Sequence, residues 1–239
     1  MVIDGNGLIA ASFNGCNSED AYVFARGVSN SATQAEGDYQ RELSLLNDAI
    51  EKCLSSSSRL VYFSSGGAIY GETNSVRHEN MRLEPTSRYG KHKLECENLI
   101  VTSGVDHLIA RLPNVVGCGG NSSQLFPYLV NAVKRGKIII FEKSMRDLID
   151  VDDLSSIVIR LLRKTSNNMI LNIVSGVSVS ADELVKEINC HIKNNIDIER
   201  ISGGANQVFS SDKLKALLPD LSFDARYPFD LVRKYIKDV

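Results

Sequence analysis

The chain has 239 residues, 43% hydrophobic and 23% charged, and its 27 basic and 29 acidic side chains leave a formal net charge of −2. That balance fits a soluble globular protein of one large domain, or a domain with a small appendage. The basic residues are scattered, which argues against a nucleic-acid surface or a polybasic membrane patch. No apolar run approaches the roughly 20 residues that span a bilayer, and MVIDGNG lacks the regions of a signal peptide. Cys16, Cys53, Cys96, Cys118 and Cys190 form no CxxC pair and no ligand pattern with the four histidines. They read as reduced structural thiols in a cytoplasm, and no metal is expected.

In chain order, MVID is a short apolar start, followed by glycines and the helix-compatible stretch LIAASF. AYVFA, residues 21 to 25, reads as a buried strand. DYQRELSLLNDAIEKC reads as a helix, with Leu43, Leu46, Ala49, Ile50 and Cys53 at helical spacing. RLVYFSS is a strand, and a helix is expected from about Ser87 to Thr102. HLIARL is a strand, QLFPYLVNAVKRG a helix closed by Gly136, and KIIIF a strand. LSSIVIRLLRK is an amphipathic helix opened by Asp152 or Asp153. MILNIV is a strand, SADELVKEINCHI a helix capped by Ser180, and SDKLKALL a last short helix. Strands and helices alternate, which predicts an α/β fold with a parallel sheet covered by helices.

Three stretches carry chemistry. GNGLIA, residues 5 to 10, fits the G-x-G-x-x-G/A turn whose glycines admit a pyrophosphate to a helix start. It reads equally as a tight strand-to-helix turn. VYFSSGGAIYG leaves its strand at Ser64 and Ser65, and the carboxyl ends of strands are where an open α/β sheet binds ligands. Tyr89 and Lys93 lie four apart, on one helix face. An ammonium beside a phenol favours phenolate, so the pair suits a general acid or base.

GNGLIA, VYFSSGGAIYG, EPTSRYGKHKLECE, ARLPNVVG, RDLIDVDDL and NIVSGVSVSADEL occur in that order. Together they resemble the extended short-chain dehydrogenase/reductase family, the NAD-dependent nucleotide-sugar epimerases and dehydratases, over residues 1 to about 215. The resemblance implies a Rossmann-like doubly wound parallel sheet with a small C-terminal substrate-binding portion. Residues 1–115, with about 145–175, would form the cofactor-binding core, and 116–239 mainly the substrate side. The implied activity is a nucleotide-sugar epimerase or 4-keto reductase, of the kind used for surface polysaccharides or deoxysugars. It would transfer hydride with NAD or NADP, in the cytoplasm, with a homodimer as the assembly it leaves open.

Position by position, the resemblance makes Tyr89 the acid/base for a sugar hydroxyl. Lys93 would hold the nicotinamide ribose and depress the Tyr89 pKa. Gly5, Asn6, Gly7, Leu8, Ile9, Ala25, Ser64 and Leu112 would complete the cofactor site. Ser65, Gly66, Asn114 and Arg146 would meet the substrate, Arg146 at its diphosphate. Glu97 and Asp147 would serve structure.

Two departures stand out. Relatives carry a catalytic Ser or Thr four residues before the motif tyrosine; four before Tyr70 is Gly66. Either Ser65 takes that role or the group is missing. Only about ten residues separate Ala10 from AYVFA. Either the usual second and third strands are absent, or AYVFA is strand two, with Arg26 meeting a 2′-phosphate. The first reading predicts weak cofactor binding with little NAD/NADP preference, and an MVID edge strand covered by a loop or another subunit. It also keeps open a degenerate member that binds a nucleotide or nucleotide sugar without efficient redox chemistry.

Overall fold

Aromatic and β-branched residues concentrate in the segments AYVF, RLVYFSS and HLIARL, and these pair in parallel at the middle of the sheet. The computed structural model describes residues 1–16, 20–33 and 35–238. Its first half contains β1 (Val2–Asp4), α1 (Leu8–Ser12), β2 (Ala21–Phe24), α2 (Glu36–Ser56), β3 (Arg59–Ser65), α3 (Gly66–Ile69), α4 (Arg88–Ser103) and β4 (His107–Leu112). Then follow β5 (Asn114–Val116), α5 (Leu125–Arg135), β6 (Lys137–Phe141), β7 (Met145–Asp150), α6 (Val151–Lys164) and β8 (Met169–Asn172). The remainder is β9 (Ser178–Ser180), α7 (Ala181–Ile192), β10 (Asp197–Ile201), α8 (Asp212–Leu217) and α9 (Tyr227–Tyr235).

The main sheet has the order β1-β2-β3-β4-β8, with every pair parallel. Successive side chains point to opposite faces. Val61 and Phe63 of β3 therefore join Phe13 and the α6 residues Leu154, Ile157, Val158 and Leu161 on one face. Leu60 and Tyr62 join Leu46, Ala49, Cys53, Cys96 and Ile100 of α2 and α4 on the other. Each fully buried Leu, Ile or Phe of these layers contributes about 1.5–3 kcal/mol. Helices cover both faces, so the sheet is doubly wound as expected.

The strand order decides between the two readings of AYVF. A second strand would lie outside β1; β2 instead lies between β1 and β3. The sheet therefore lacks the family's second and third strands among the described residues, and β1 is an edge. Among the described residues β1 pairs with β2 alone, and Val2 is 55% exposed.

A second core unites α5, α7 and α9 with β6 and the small β5-β7-β9 sheet. Here sequence and structure differ in detail. Asp150, not Asp152 or Asp153, caps α6, its carboxylate accepting from the Asp152 N–H at 2.9 Å. The pattern SDKLKALL is not the last helix; α9 follows it. Tyr235 and Lys234 of α9 reach back to Asp150, both at 2.8 Å. The strands β5, β7, β9 and β10 have no alternating pattern strong enough to mark them, and β7 pairs with β9 antiparallel.

Candidate functional site

The carboxyl ends of β1, β2, β3 and β4 all open onto one side of the sheet, and two cavities lie there. The smaller, about 280 Å³, is lined by Gly7, Leu8, Ile9, Ala25, Gly27, Ser64, Lys93 and Leu112 among others. The larger, about 940 Å³, is lined by Gly67, Gly71, Arg77, Arg146 and the segment Gly204–Gln207 among others. Ser31, Ser65, Tyr89, Pro113 and Asn114 line both. The cavities meet at Tyr89 and Ser65.

Tyr89 and Lys93 stand one turn apart on α4, whose start is fixed by Ser87 accepting from the Gly90 N–H at 3.0 Å. Lys93 Nζ lies 5.8 Å from the Tyr89 ring centroid. It is nearly sealed from solvent and donates to Glu42 Oε1 at 2.8 Å, Tyr62 Oη at 3.2 Å and Phe63 O at 3.4 Å. A ribose hydroxyl would have to replace one of these acceptors, and Phe63 O is the most distant. Glu42, fully buried on α2, also accepts from the Val28 N–H at 2.7 Å, Tyr62 Oη at 2.8 Å and His92 Nε2 at 3.0 Å. Burial pushes the Glu42 carboxyl up, but the Lys93 charge and these hydrogen bonds outweigh it and hold the group well below the usual carboxylate range. Burial likewise depresses Lys93, and Glu42 overcomes it to hold the ammonium above its ordinary value.

The net effect on Tyr89 runs against the contribution of Lys93. Lys93 does act to lower the Tyr89 pKa, as does a hydrogen bond from Ser65. Burial outweighs both, the Glu42 charge opposes them, and the phenol titrates above its ordinary value. The Tyr89 phenol is therefore protonated at neutral pH.

Glu42 itself escaped the sequence reading. Its signal is positional: Tyr39, Glu42, Leu46, Ala49 and Cys53 form the buried stripe of α2, so a glutamate occupies a core position. The same network brings Glu42, His92 and Cys96 within 4.8 Å, a grouping that the cysteine spacings did not reveal. The Lys93 ammonium already neutralises its carboxylate.

The remaining residues fall as follows. Gly5 and Asn6 line neither cavity. A Cβ on Gly5, whose φ is +150°, would stand 2.5 Å from Ala25 O, so the glycine lets the turn close onto β2. Gly66 also lies outside the cavities: it is buried, and a Cβ there would meet Phe209 at 2.8 Å and Leu112 O at 3.2 Å. The position of the family's hydroxyl is filled by an aromatic edge. Gly66→Ser is therefore expected to lower the melting temperature without raising activity. Phe209→Ala in the same chain should restore room for the serine; a Gly66→Ser protein as stable as the parent would refute this packing.

Asn114 donates to Asp147 O at 3.0 Å and Gln207 Oε1 at 3.3 Å, facing the larger cavity. Arg146 Nη1 donates to Met145 O at 2.9 Å and Ala205 O at 2.7 Å. Glu97 grips Arg111 through both oxygens, at 3.1 and 2.8 Å. Asp147 accepts from Ser175 and the Gly176 N–H, with burial pushing its carboxyl up to about 7 against those bonds. Arg26, the candidate 2′-phosphate ligand of the rejected strand assignment, pairs with Asp4 at 3.3 Å.

The family profile described as the NAD dependent epimerase/dehydratase family matches residues 18–173. The chain belongs to this family. It is 33% identical over 141 residues to a GDP-6-deoxy-D-talose 4-dehydrogenase of Aggregatibacter actinomycetemcomitans, covering 54% of this chain and 47% of that protein. It is 31% identical over 137 residues to a putative UDP-glucose 4-epimerase of Methanocaldococcus jannaschii, covering 53% and 44%. The match thus spans about half the length of these curated relatives. The fold resembles that of a dTDP-glucose 4,6-dehydratase from Bacillus anthracis in complex with NAD, with a TM-score of 0.76 at 20% identity over 92% of this chain and 73% of that one. The resemblance drawn from the sequence motifs is borne out at the level of family and fold.

The nicotinamide half of such a cofactor fits the smaller cavity. Ser64 Oγ is buried there without a hydrogen-bond partner among the described residues, the kind of orphan a ligand amide or hydroxyl satisfies. The adenosine half fits less well, because the strands that would flank it beyond β1 are absent from the sheet. No helix among the described residues is long and apolar enough to cross a membrane.

Proposed function

We propose that the chain is a nucleotide-sugar epimerase or 4-keto reductase that works with NAD or NADP in the cytoplasm. The observation that carries this reading is the junction of the two cavities at Tyr89 and Ser65. Residues 1–115, with about 145–175, would hold the cofactor, and 116–239 would supply most of the substrate wall, where Phe141, Arg146 and Gly204–Gln207 lie. The bound nicotinamide would supply a hydride acceptor or donor. Tyr89 would hold the proton exchanged with the sugar hydroxyl at its phenol oxygen. Ser65 would hydrogen-bond the reacting oxygen in place of the absent Gly66 side chain, and Asn114 would orient the substrate. Lys93 would act mainly as a fixed charge beneath Tyr89, since Glu42 already engages its ammonium. A homodimer sealed along the β1 edge is compatible with this reading.

The test is titration of the purified chain with NADH and NADPH, followed by nicotinamide fluorescence. Binding is expected to be weak, with under about tenfold preference between the two, a difference of about 1.4 kcal/mol at most. Tight, strongly selective binding would contradict the incomplete adenosine side. A second reading, a nucleotide-sugar binder without redox turnover, is favoured by the engaged Lys93 and the filled Gly66 position. Absence of nicotinamide binding alongside nucleotide-sugar binding would select it.

A further inference from the structure

Arg77 is 1% exposed, yet it lines the larger cavity and has no carboxylate partner among the described residues. Its Nη2 donates to Gly71 O at 3.1 Å, and the guanidinium carbon lies 5.6 Å from the Phe209 ring centroid. Nε and Nη1 are buried without any hydrogen-bond partner. A buried cation with unmet donors is costly, and folded chains seldom keep one without a purpose. Its backbone is fixed firmly: Arg77 N–H donates to Val208 O at 2.8 Å, and Asn172 Nδ2 donates to Arg77 O at 3.1 Å. The side chain is held there, not parked by a loose loop.

Around it the charge is one-sided. Arg146 lines the same cavity without a carboxylate partner, and each guanidinium raises the cost of the other. Glu72 is the acidic lining residue, and it is exposed. Asn206 Oδ1, in the same wall, is also buried without a partner. A cavity with two unneutralised guanidiniums is complementary to a ligand with more than one anionic centre, while the Asn206 oxygen, an acceptor, suits a hydroxyl of the same ligand.

We propose that Arg77 is an anion-recognition residue of the cleft, taking a negatively charged group of the ligand beyond what Arg146 can neutralise alone. This rests on the nucleotide-sugar reading of the cleft. The shared chemistry is an oxyanion, either the second phosphate of the diphosphate or a carboxylate on the sugar. Arg77 anchors to Gly71, on the strand-exit loop that also presents Ser65, Gly67 and Ala68 to the cavity, so the reacting sugar lies beside it and the carboxylate is the favoured partner.

The experiment compares the parent chain with Arg77→Met and Arg77→Lys by calorimetry and thermal shift, using UDP, GDP, UDP-glucose and UDP-glucuronic acid. Arg77→Met is expected to keep or raise the melting temperature, because it removes an uncompensated buried charge. It should weaken binding of the charged group by about 10- to 100-fold, the range for a charge-assisted hydrogen bond, with partial rescue in Arg77→Lys. A loss confined to UDP-glucuronic acid assigns a sugar carboxylate, and an equal loss across all nucleotides assigns the diphosphate. Unchanged affinities in Arg77→Met, or a marked fall in its melting temperature without loss of binding, overturn the proposal alone. A parent chain that binds none of the four overturns the nucleotide-sugar reading as well.

Discussion

Tyr89→Phe is expected to lower turnover by about 10²- to 10⁴-fold, the usual contribution of a positioned acid or base. The substitution deletes one oxygen and keeps the ring that forms the junction of the two cavities, so melting temperature and ligand affinity should hardly change. The pH dependence adds a signature. Burial raises the Tyr89 pKa above its ordinary value despite Lys93, so the phenol is protonated across the neutral range. Reaction in the direction that needs phenolate should keep accelerating as pH rises through the alkaline range, and that rise should vanish in the variant. Turnover is followed by nicotinamide absorbance with any nucleotide sugar the chain converts. Near-parental turnover in Tyr89→Phe would remove the residue from the mechanism.

Glu42→Leu should be the most destabilising single change in the site. One carboxylate accepts from Val28, Tyr62, His92 and Lys93 within 2.7–3.0 Å. Its loss strands a buried ammonium, a change that costs about 3–5 kcal/mol. For a chain of this size that corresponds to a fall of roughly 6–20 °C in melting temperature. Glu42→Leu combined with Lys93→Met should recover much of the loss, because no uncompensated charge is left. The pair also sets a pH window. Glu42 is depressed when folded, so its contribution is complete above the unfolded glutamate pKa and fades as pH falls towards the folded value. Lys93 is raised, so its contribution is complete below the unfolded lysine pKa and fades as pH rises towards the folded value. Between those limits of about 4.3 and 10.4 the pair's contribution should be flat. A melting temperature within a few degrees of the parent in the single variant would show that the network is not structural.

The strands and helices that position the site were legible because their patterns are local. β3 and β4 carry apolar runs at their centres, and α6 and α7 carry their stripes and first-turn acids in plain sight. Tyr89 and Lys93 were legible through spacing and motif order. What stayed hidden depends on distant partners. Glu42 looks like one more charge on an amphipathic helix until α4 is packed against it. Arg77 sits in a polar loop, and the residue that packs over it, Phe209, comes from the far end of the chain. Gly66 reads as a missing hydroxyl, whereas the structure shows its space taken.

The shortened sheet leaves its first strand lightly supported. β1, β2, β3 and β4 advance across the sheet in one direction, yet α1 packs with α6 on the face opposite α2 and α4. The β1–α1–β2 crossover therefore has the opposite hand to the two that follow it. Among the described residues β1 is paired with β2 alone. It is a three-residue edge strand, whereas β3 and β4 are flanked on both sides and almost wholly buried. The glycine turn at residues 5 to 7 follows directly from it, so the wall that Gly7 gives the smaller cavity rests on a short strand held by a single neighbour.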